Sequence, residues 1–137
     1  NEISNACKNH LIIFPAHPRV YDYIKSKKTI PKNIKIIKPL GYLDFLFFLK
    51  ESQAIITDSG GITEEATYLK IPCLTIRNST ERPETITIGS NELIGEKLSR
   101  IDFYIKKILS KKWKNSRIPE KWDGKTAKRI LRIISKK

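Results

Sequence analysis

Methionine is absent from this chain of 137 residues, which begins at Asn1. A gene product starts with Met, so the chain reads as a piece of a longer protein or as a trimmed one. No apolar run approaches the ~20 residues of a membrane span. The first residues lack the charged-then-apolar pattern of a secretory signal. No membrane partner is expected, and a cytoplasmic location is. Cysteine is scarce: Cys7 and Cys73 are too few for a disulfide framework and have no metal-ligand spacing. Cys73 stands in an apolar stretch and reads as a small buried hydrophobe, which suits a reducing compartment. Glycine is scarce too, at six residues. No Lys-Ser/Thr follows the paired glycines at 60 and 61, which excludes a P-loop. No third glycine follows them either, which excludes the dinucleotide fingerprint.

Positive charge is abundant and unevenly placed. The formal net charge is +13. Residues 96–137 hold 15 Lys or Arg against 4 Asp or Glu, so nearly all of the excess lies there. A basic tail can serve nucleic acid or an anionic surface. Here the basic residues spread around helices without interleaved aromatics, so a solvated helical face is the preferred reading and nucleic acid is not expected as a partner. At this length the chain is one domain with room for a true core.

Apolar runs alternate with helical patterns. Residues 11–14 read as a strand buried on both faces, 34–37, 54–57 and 71–77 as further strands, and 85–88 as a short fifth. The stretch before His10 reads as a helix end. Residues 20–28, 44–52, 62–69, 99–111 and 126–135 read as helices, with Asp44 as an N-cap. Alternation of this kind means a parallel sheet with right-handed crossovers, and ligands sit beyond the carboxyl ends of its strands. His17, residues 40–45, Ser59 to Gly61 and residues 77–84 each follow a predicted strand. The turn at 58–61 joins a strand to a helix that carries Glu64 and Glu65 in its expected first turn. Its free N–H groups and the helix dipole make a phosphate cradle, with the glycines letting an anion approach the backbone.

Laid out together, His17-Pro18-Arg19, the stretch Pro39-Leu40-Gly41-Tyr42-Leu43-Asp44-Phe45, Thr57-Asp58-Ser59-Gly60-Gly61-Ile62-Thr63-Glu64-Glu65-Ala66, Thr80-Glu81-Arg82-Pro83-Glu84 and Asp123-Gly124-Lys125 resemble the non-hydrolysing UDP-N-acetylglucosamine 2-epimerases. The resemblance covers nearly the whole chain. It implies an α/β, Rossmann-like parallel sheet flanked by helices, the second, UDP-binding domain of a glycosyltransferase-B-type architecture. It implies interconversion of UDP-N-acetylglucosamine and UDP-N-acetylmannosamine by elimination and re-addition of UDP, in the service of cell-envelope polysaccharides. No cofactor and no metal are implied. His17 is the implied catalytic residue. Leu40 (through its backbone), Phe45, Ser59, Gly60, Gly61, Glu65 and Arg82 are the implied substrate-binding set, with Arg19 and Glu64 as supports. The acidic residues that move the C2 proton belong to a first domain outside this chain, so the chain alone is expected to be inactive; the full-length enzyme is expected to be a homodimer. The family also places an opening strand before the helix that ends near His10. Without it, the five strands are expected to close up in the order 2-1-3-4-5. The final helix is expected to pack towards the first domain, leaving Ile130, Ile133 and Ile134 exposed or docked here. A glycosyltransferase half of the same architecture is the competing enzymatic reading.

Overall fold

The computed structural model describes residues 1–27, 29–96 and 98–135. Its elements run α1 (Glu2–Ala6), β1 (Ile12–Pro15), α2 (Pro18–Lys25), β2 (Ile34–Ile37), α3 (Tyr42–Glu51), β3 (Ile55–Thr57), α4 (Gly60–Leu69), β4 (Cys73–Thr75), α5 (Pro83–Thr87), β5 (Asn91–Leu93), a 3₁₀ turn at Leu98–Arg100, α6 (Ile101–Leu109) and α7 (Thr126–Ile134). All strand pairs are parallel, as the alternation of strands and helices requires. Lys28, the expected last residue of the second helix, lies outside the described residues.

The core forms where apolar faces meet. Leu74 on β4, with Cys7 and Ile94, packs against Ile101, Tyr104, Ile105 and Ile108, the buried stripe of α6. The charged residues of α6, Asp102, Lys106 and Lys107, face water. On the other side of the sheet Leu49 of α3 and Ala66 of α4 pack on Ile55, Ile71 and Cys73. Each fully buried aliphatic side chain contributes roughly 1.5–3 kcal/mol. Burial pushes the Cys73 thiol up to about 12, so it stays protonated and inert.

Two expectations are overturned. Residues 85–88 form no strand. Proline at the first helical position has its φ preset for a helix, and the Thr85 N–H donates to the Arg82 carbonyl at 3.0 Å, so residues 83–87 wind into α5 instead. The fifth strand is Asn91–Leu93, beside β4. Asp44 is not an N-cap either. The helix starts earlier, at Tyr42, with Gly41 in the cap position and Asp44 in the first turn, where its charge suits the dipole.

The third correction concerns the sheet. The strands do not join in the order 2-1-3-4-5; β1 pairs with β2, and β3-β4-β5 form a separate sheet. In β1 the Ile12 and Ala16 N–H groups donate to Asn33 and Ile37, so residues 12, 14 and 16 face β2 and residues 13 and 15 face the other edge. Pro15 has no N–H. In β3 the Ile55 N–H and the Thr57 carbonyl are bonded towards β4, which leaves only Ile56 turned to the free edge. A β1–β3 ladder would therefore gain one or two hydrogen bonds, too few to draw the sheets together. Ile12, Ala54 and Ile56 nonetheless pack on one cluster with α6, so the two sheets share a helical layer. Ile13 and Phe14 remain 37% and 42% exposed.

Backbone groups at a free edge exchange with water. Measured by amide hydrogen exchange, Ile13 and Ile56 are expected to exchange faster than their neighbours Phe14 and Thr57, which face the ladders. Equal protection at all four positions would show that β1 and β3 are paired in solution.

Candidate functional site

The cradle is built by the junction of β3 and α4. Ser59 is the N-cap in extended conformation (φ −89°, ψ 126°) and its side chain makes no capping bond. The helix starts at Gly60, two residues before the expected start, so Glu64 and Glu65 sit in its second turn rather than its first. Of the three amides expected to point outward, one is already engaged: the Ser59 N–H donates to the Thr57 hydroxyl at 3.0 Å. The N–H groups of Gly60 and Gly61 have no partner among the described residues. Neither glycine has a positive φ. A Cβ on Gly60 would meet nothing within 4 Å, and one on Gly61 would meet only the Ser59 hydroxyl at 4.0 Å. Neither the backbone conformation nor the packing demands glycine there, so what the missing side chains leave is space in front of two free donors.

Arg82 reaches this junction from the loop after β4. Its Nε donates to the Glu64 carboxylate on α4, and this bond with the neighbouring negative charge raises the guanidinium pKa further. Arg82 is thus a permanent cation bound to the second turn of α4, with part of its guanidinium fork directed elsewhere. Thr80 accepts the Arg82 backbone N–H at 3.1 Å and Arg77 pairs with Glu81 at 3.4 Å, so the loop is internally tied.

Next to the cradle an open cavity of about 500 Å³ lies between α3 and α4, lined by Tyr42, Leu46, Glu64, Glu65, Tyr68 and Trp122. Glu65, half-buried, is a free acceptor on its wall. The turn at residues 121–125 holds Trp122 in place. Asp123 accepts from the Lys125 N–H at 3.0 Å and from Arg129, and these partners keep its carboxyl below the usual range. Phe45 is half-buried and packs on the Leu49–Ala66 cluster, while Leu40 precedes α3 at the end of β2. The aromatic surfaces on the cavity wall are Tyr42, Tyr68 and Trp122, which sequence reasoning did not single out. Tyr42 and Leu46, like Glu65 and Tyr68, stand at helical i,i+4 or i,i+3 spacing, and that spacing was the available signal. Thr57 was missed as well, although a threonine two residues before a helix N-cap is a familiar turn former.

His17 follows β1 and caps α2. Its Nδ1 accepts the Arg19 N–H at 3.3 Å. In the neutral ring the proton then resides on Nε2, which is left as an outward donor. No hydrogen bond or ion pair joins His17 to Ser59 or Arg82, so the structure brings Ser59, Gly60, Gly61, Glu64, Glu65 and Arg82 together and sets His17 on the other sheet. Among the described residues no His, Cys, Asp and Glu cluster of three or more could hold a metal ion. No described helix is long and apolar enough to cross a membrane.

The family profile of UDP-N-acetylglucosamine 2-epimerase matches residues 1–135. This chain belongs to the UDP-N-acetylglucosamine 2-epimerase family. The epimerase of Methanocaldococcus jannaschii is 44% identical over 131 residues, covering 90% of this chain and 35% of the relative. That of Methanococcus maripaludis is 41% identical over 141 residues, covering 98% and 37%. The crystal structure of the Methanocaldococcus jannaschii epimerase in complex with UDP-GlcNAc and UDP superposes with a TM-score of 0.76 at 41% identity, over 99% of this chain and 38% of that one. The Neisseria meningitidis epimerase bound to UDP-GlcNAc superposes at 0.82 and 29% identity, over 99% and 38%. The fold is therefore the α/β, Rossmann-like one of these enzymes, and the chain spans little more than a third of the relatives it matches.

Two glycines of this epimerase-family chain make opposite predictions. Gly60→Ala is expected to leave thermal stability unchanged or to raise it by up to about 1 kcal/mol, since the added methyl meets open space. Gly89→Ala places a methyl 2.5 Å from the Thr67 methyl and 2.6 Å from the Thr85 carbonyl. It is expected to cost about 1–3 kcal/mol. Denaturant melts of both variants decide; a large loss for Gly60→Ala would make that glycine structural.

Proposed function

We propose that this chain is the UDP-binding part of a UDP-N-acetylglucosamine 2-epimerase and that it does not epimerise alone. The observation that carries this reading is the pair of unpartnered amides at Gly60 and Gly61 at the start of α4, with the Arg82 guanidinium bound to Glu64 on the same helix. When the C1–O bond to UDP breaks, its electron pair and the resulting negative charge go to the β-phosphate. The Gly60 and Gly61 N–H groups, the Ser59 hydroxyl and Arg82 are aimed at that charge and stabilise it as it develops. His17 donates from Nε2 to the diphosphate once the cleft is complete. Glu65 accepts from the ribose hydroxyls. The uracil lies along the start of α3, its edge read by the Leu40 backbone and its face by the Phe45 ring. Arg19 braces His17 through the N–H that Nδ1 accepts.

The proton on C2 is removed by acidic groups of a first domain that this chain does not contain. Three features support a larger enzyme. The chain covers 35–38% of its relatives. The β1–β2 and β3–β4–β5 sheets remain separate, as they would if a strand between them were missing. On α7, Ile130, Leu131, Ile133 and Ile134 are all more than half exposed, an apolar stripe ready for the first domain. The free thiols of Cys7 and Cys73 suit a cytoplasmic setting.

Titration calorimetry tests the binding reading. Wild-type chain is expected to bind UDP weakly, and Ser59→Ala combined with Arg82→Ala to abolish measurable heat. Equal heats for both proteins, or none for either, would refute the site. In the chemical test, exchange of the C2 hydrogen of UDP-N-acetylglucosamine for solvent deuterium is expected only after a first domain is added. Exchange by this chain alone would show that the base lies within it.

A further inference from the structure

A chain of buried polar side chains runs beneath Arg82. Thr75 on β4, Asn91 on β5 and Thr85 on α5 are each 0–1% exposed. The Thr75 hydroxyl donates to Asn91 Oδ1 at 2.6 Å, Asn91 Nδ2 donates to the Thr85 hydroxyl at 3.2 Å, and the Thr85 hydroxyl donates to the Arg82 carbonyl at 2.7 Å. The direction is determined throughout. Each hydroxyl has a single proton, so Thr85, which spends its own on Arg82, can only accept from the amide, and the Asn91 side chain has one orientation that satisfies both threonines. A polar network of this kind in a dry interior fixes geometry more sharply than apolar packing does.

The geometry matters because α5 cannot hold itself. A helix of five residues is far below the ~12 at which an isolated helix becomes even marginal. Among the ties that hold it, which include the Arg117 N–H donated to the Ile88 carbonyl at 2.9 Å, two meet at Asn91. The side chain secures the first turn through Thr85. The Asn91 carbonyl accepts from Lys114 Nζ, which also donates to the Ile86 carbonyl at 2.6 Å, near the other end of the helix, and pairs with Glu92 at 3.2 Å. Arg82 is the N-cap of this helix, and its guanidinium reaches Glu64 beside the cradle.

We propose that Asn91 is a positioning residue of the nucleotide site: through the hydroxyl of Thr85 it fixes the Arg82 backbone, and so aims the Arg82 guanidinium at the phosphates bound by the start of α4. This inference rests on the UDP-binding reading for what the arginine grips, but not for where the arginine is held.

The experiment uses the 137-residue chain and two readouts. The first is the ¹H–¹⁵N resonance of Arg82 Nε without nucleotide, which reports the bond to Glu64. The second is UDP affinity by calorimetry. Thr85→Val keeps the shape of the side chain and removes the hydroxyl; Asn91→Leu removes the middle link; Thr85→Ser restores the hydroxyl. Val and Leu are expected to move the Nε resonance towards that of free arginine and to weaken UDP binding roughly tenfold, the effect of one well-aimed charged hydrogen bond. Ser is expected to behave as wild type. In an Arg82→Ala background, Thr85→Val is expected to change affinity less than twofold, because the residue it aims is gone. An unchanged Nε resonance in folded Thr85→Val, or a tenfold loss that persists without Arg82, would overturn the proposal. If Asn91→Leu does not fold, Thr85→Val decides. If wild type binds no UDP, the nucleotide reading fails while the Nε resonance still judges the positioning of Arg82.

Discussion

Every helix begins with backbone donors that its own turns cannot satisfy, and the start of α4 solves that problem only in part. Thr57 takes the Ser59 N–H, and the Ser59 hydroxyl declines the capping role that its position offers. The Gly60 and Gly61 amides are among those left without a partner at the positive end of a ten-residue helix. A buried orphan amide costs a protein about 1–3 kcal/mol, so such groups persist where water or an anion reaches them. The loop after β4 then delivers a cation to the same place, held by Glu64 from α4 itself. In the proposed reading, anion binding rests on unsatisfied hydrogen bonds before it rests on any charge.

The placement of that cation shows how stability and function share residues. Thr75 and Asn91 on the sheet and Thr85 on α5 occupy buried sites that would ordinarily hold aliphatic side chains. Here the three are linked donor to acceptor, and the last link is the carbonyl of the residue that reaches the cradle. Lys114 completes the support from a stretch between helices that carries no secondary structure of its own.

Much of this was legible in the residues. The apolar tetrad at 11–14, the isoleucine-rich run at 34–37, the Pro and Gly punctuation and the amphipathic stripe of α6 announce themselves through period and turn chemistry. The cradle was readable because glycine, serine and a following helix carry their own physical meaning. What escaped was decided by contacts far along the chain. Thr85-Ile86-Thr87 has the β-branched content of a strand, yet Pro83, Thr85 and Asn91 wind it into a helix. Phe45 stands beside two other phenylalanines, and no local pattern says that it is half-buried against the Leu49–Ala66 cluster while Tyr42 lines the cavity. The order of the sheets could not be read either, since it depends on how many hydrogen bonds two short edges can offer one another. The two sheets stay separate and the apolar side chains of α7 are exposed in a chain that spans little more than a third of its relatives.

The most direct measurement of the central claim follows the backbone amide resonances of Gly60 and Gly61 as three ligands are added in turn: UDP, pyrophosphate and uridine. If these amides grip a diphosphate, both resonances move downfield with UDP and with pyrophosphate and stay in place with uridine. Should uridine move them as far as UDP does, or should UDP bind while both remain still, the diphosphate sits elsewhere and the account is wrong.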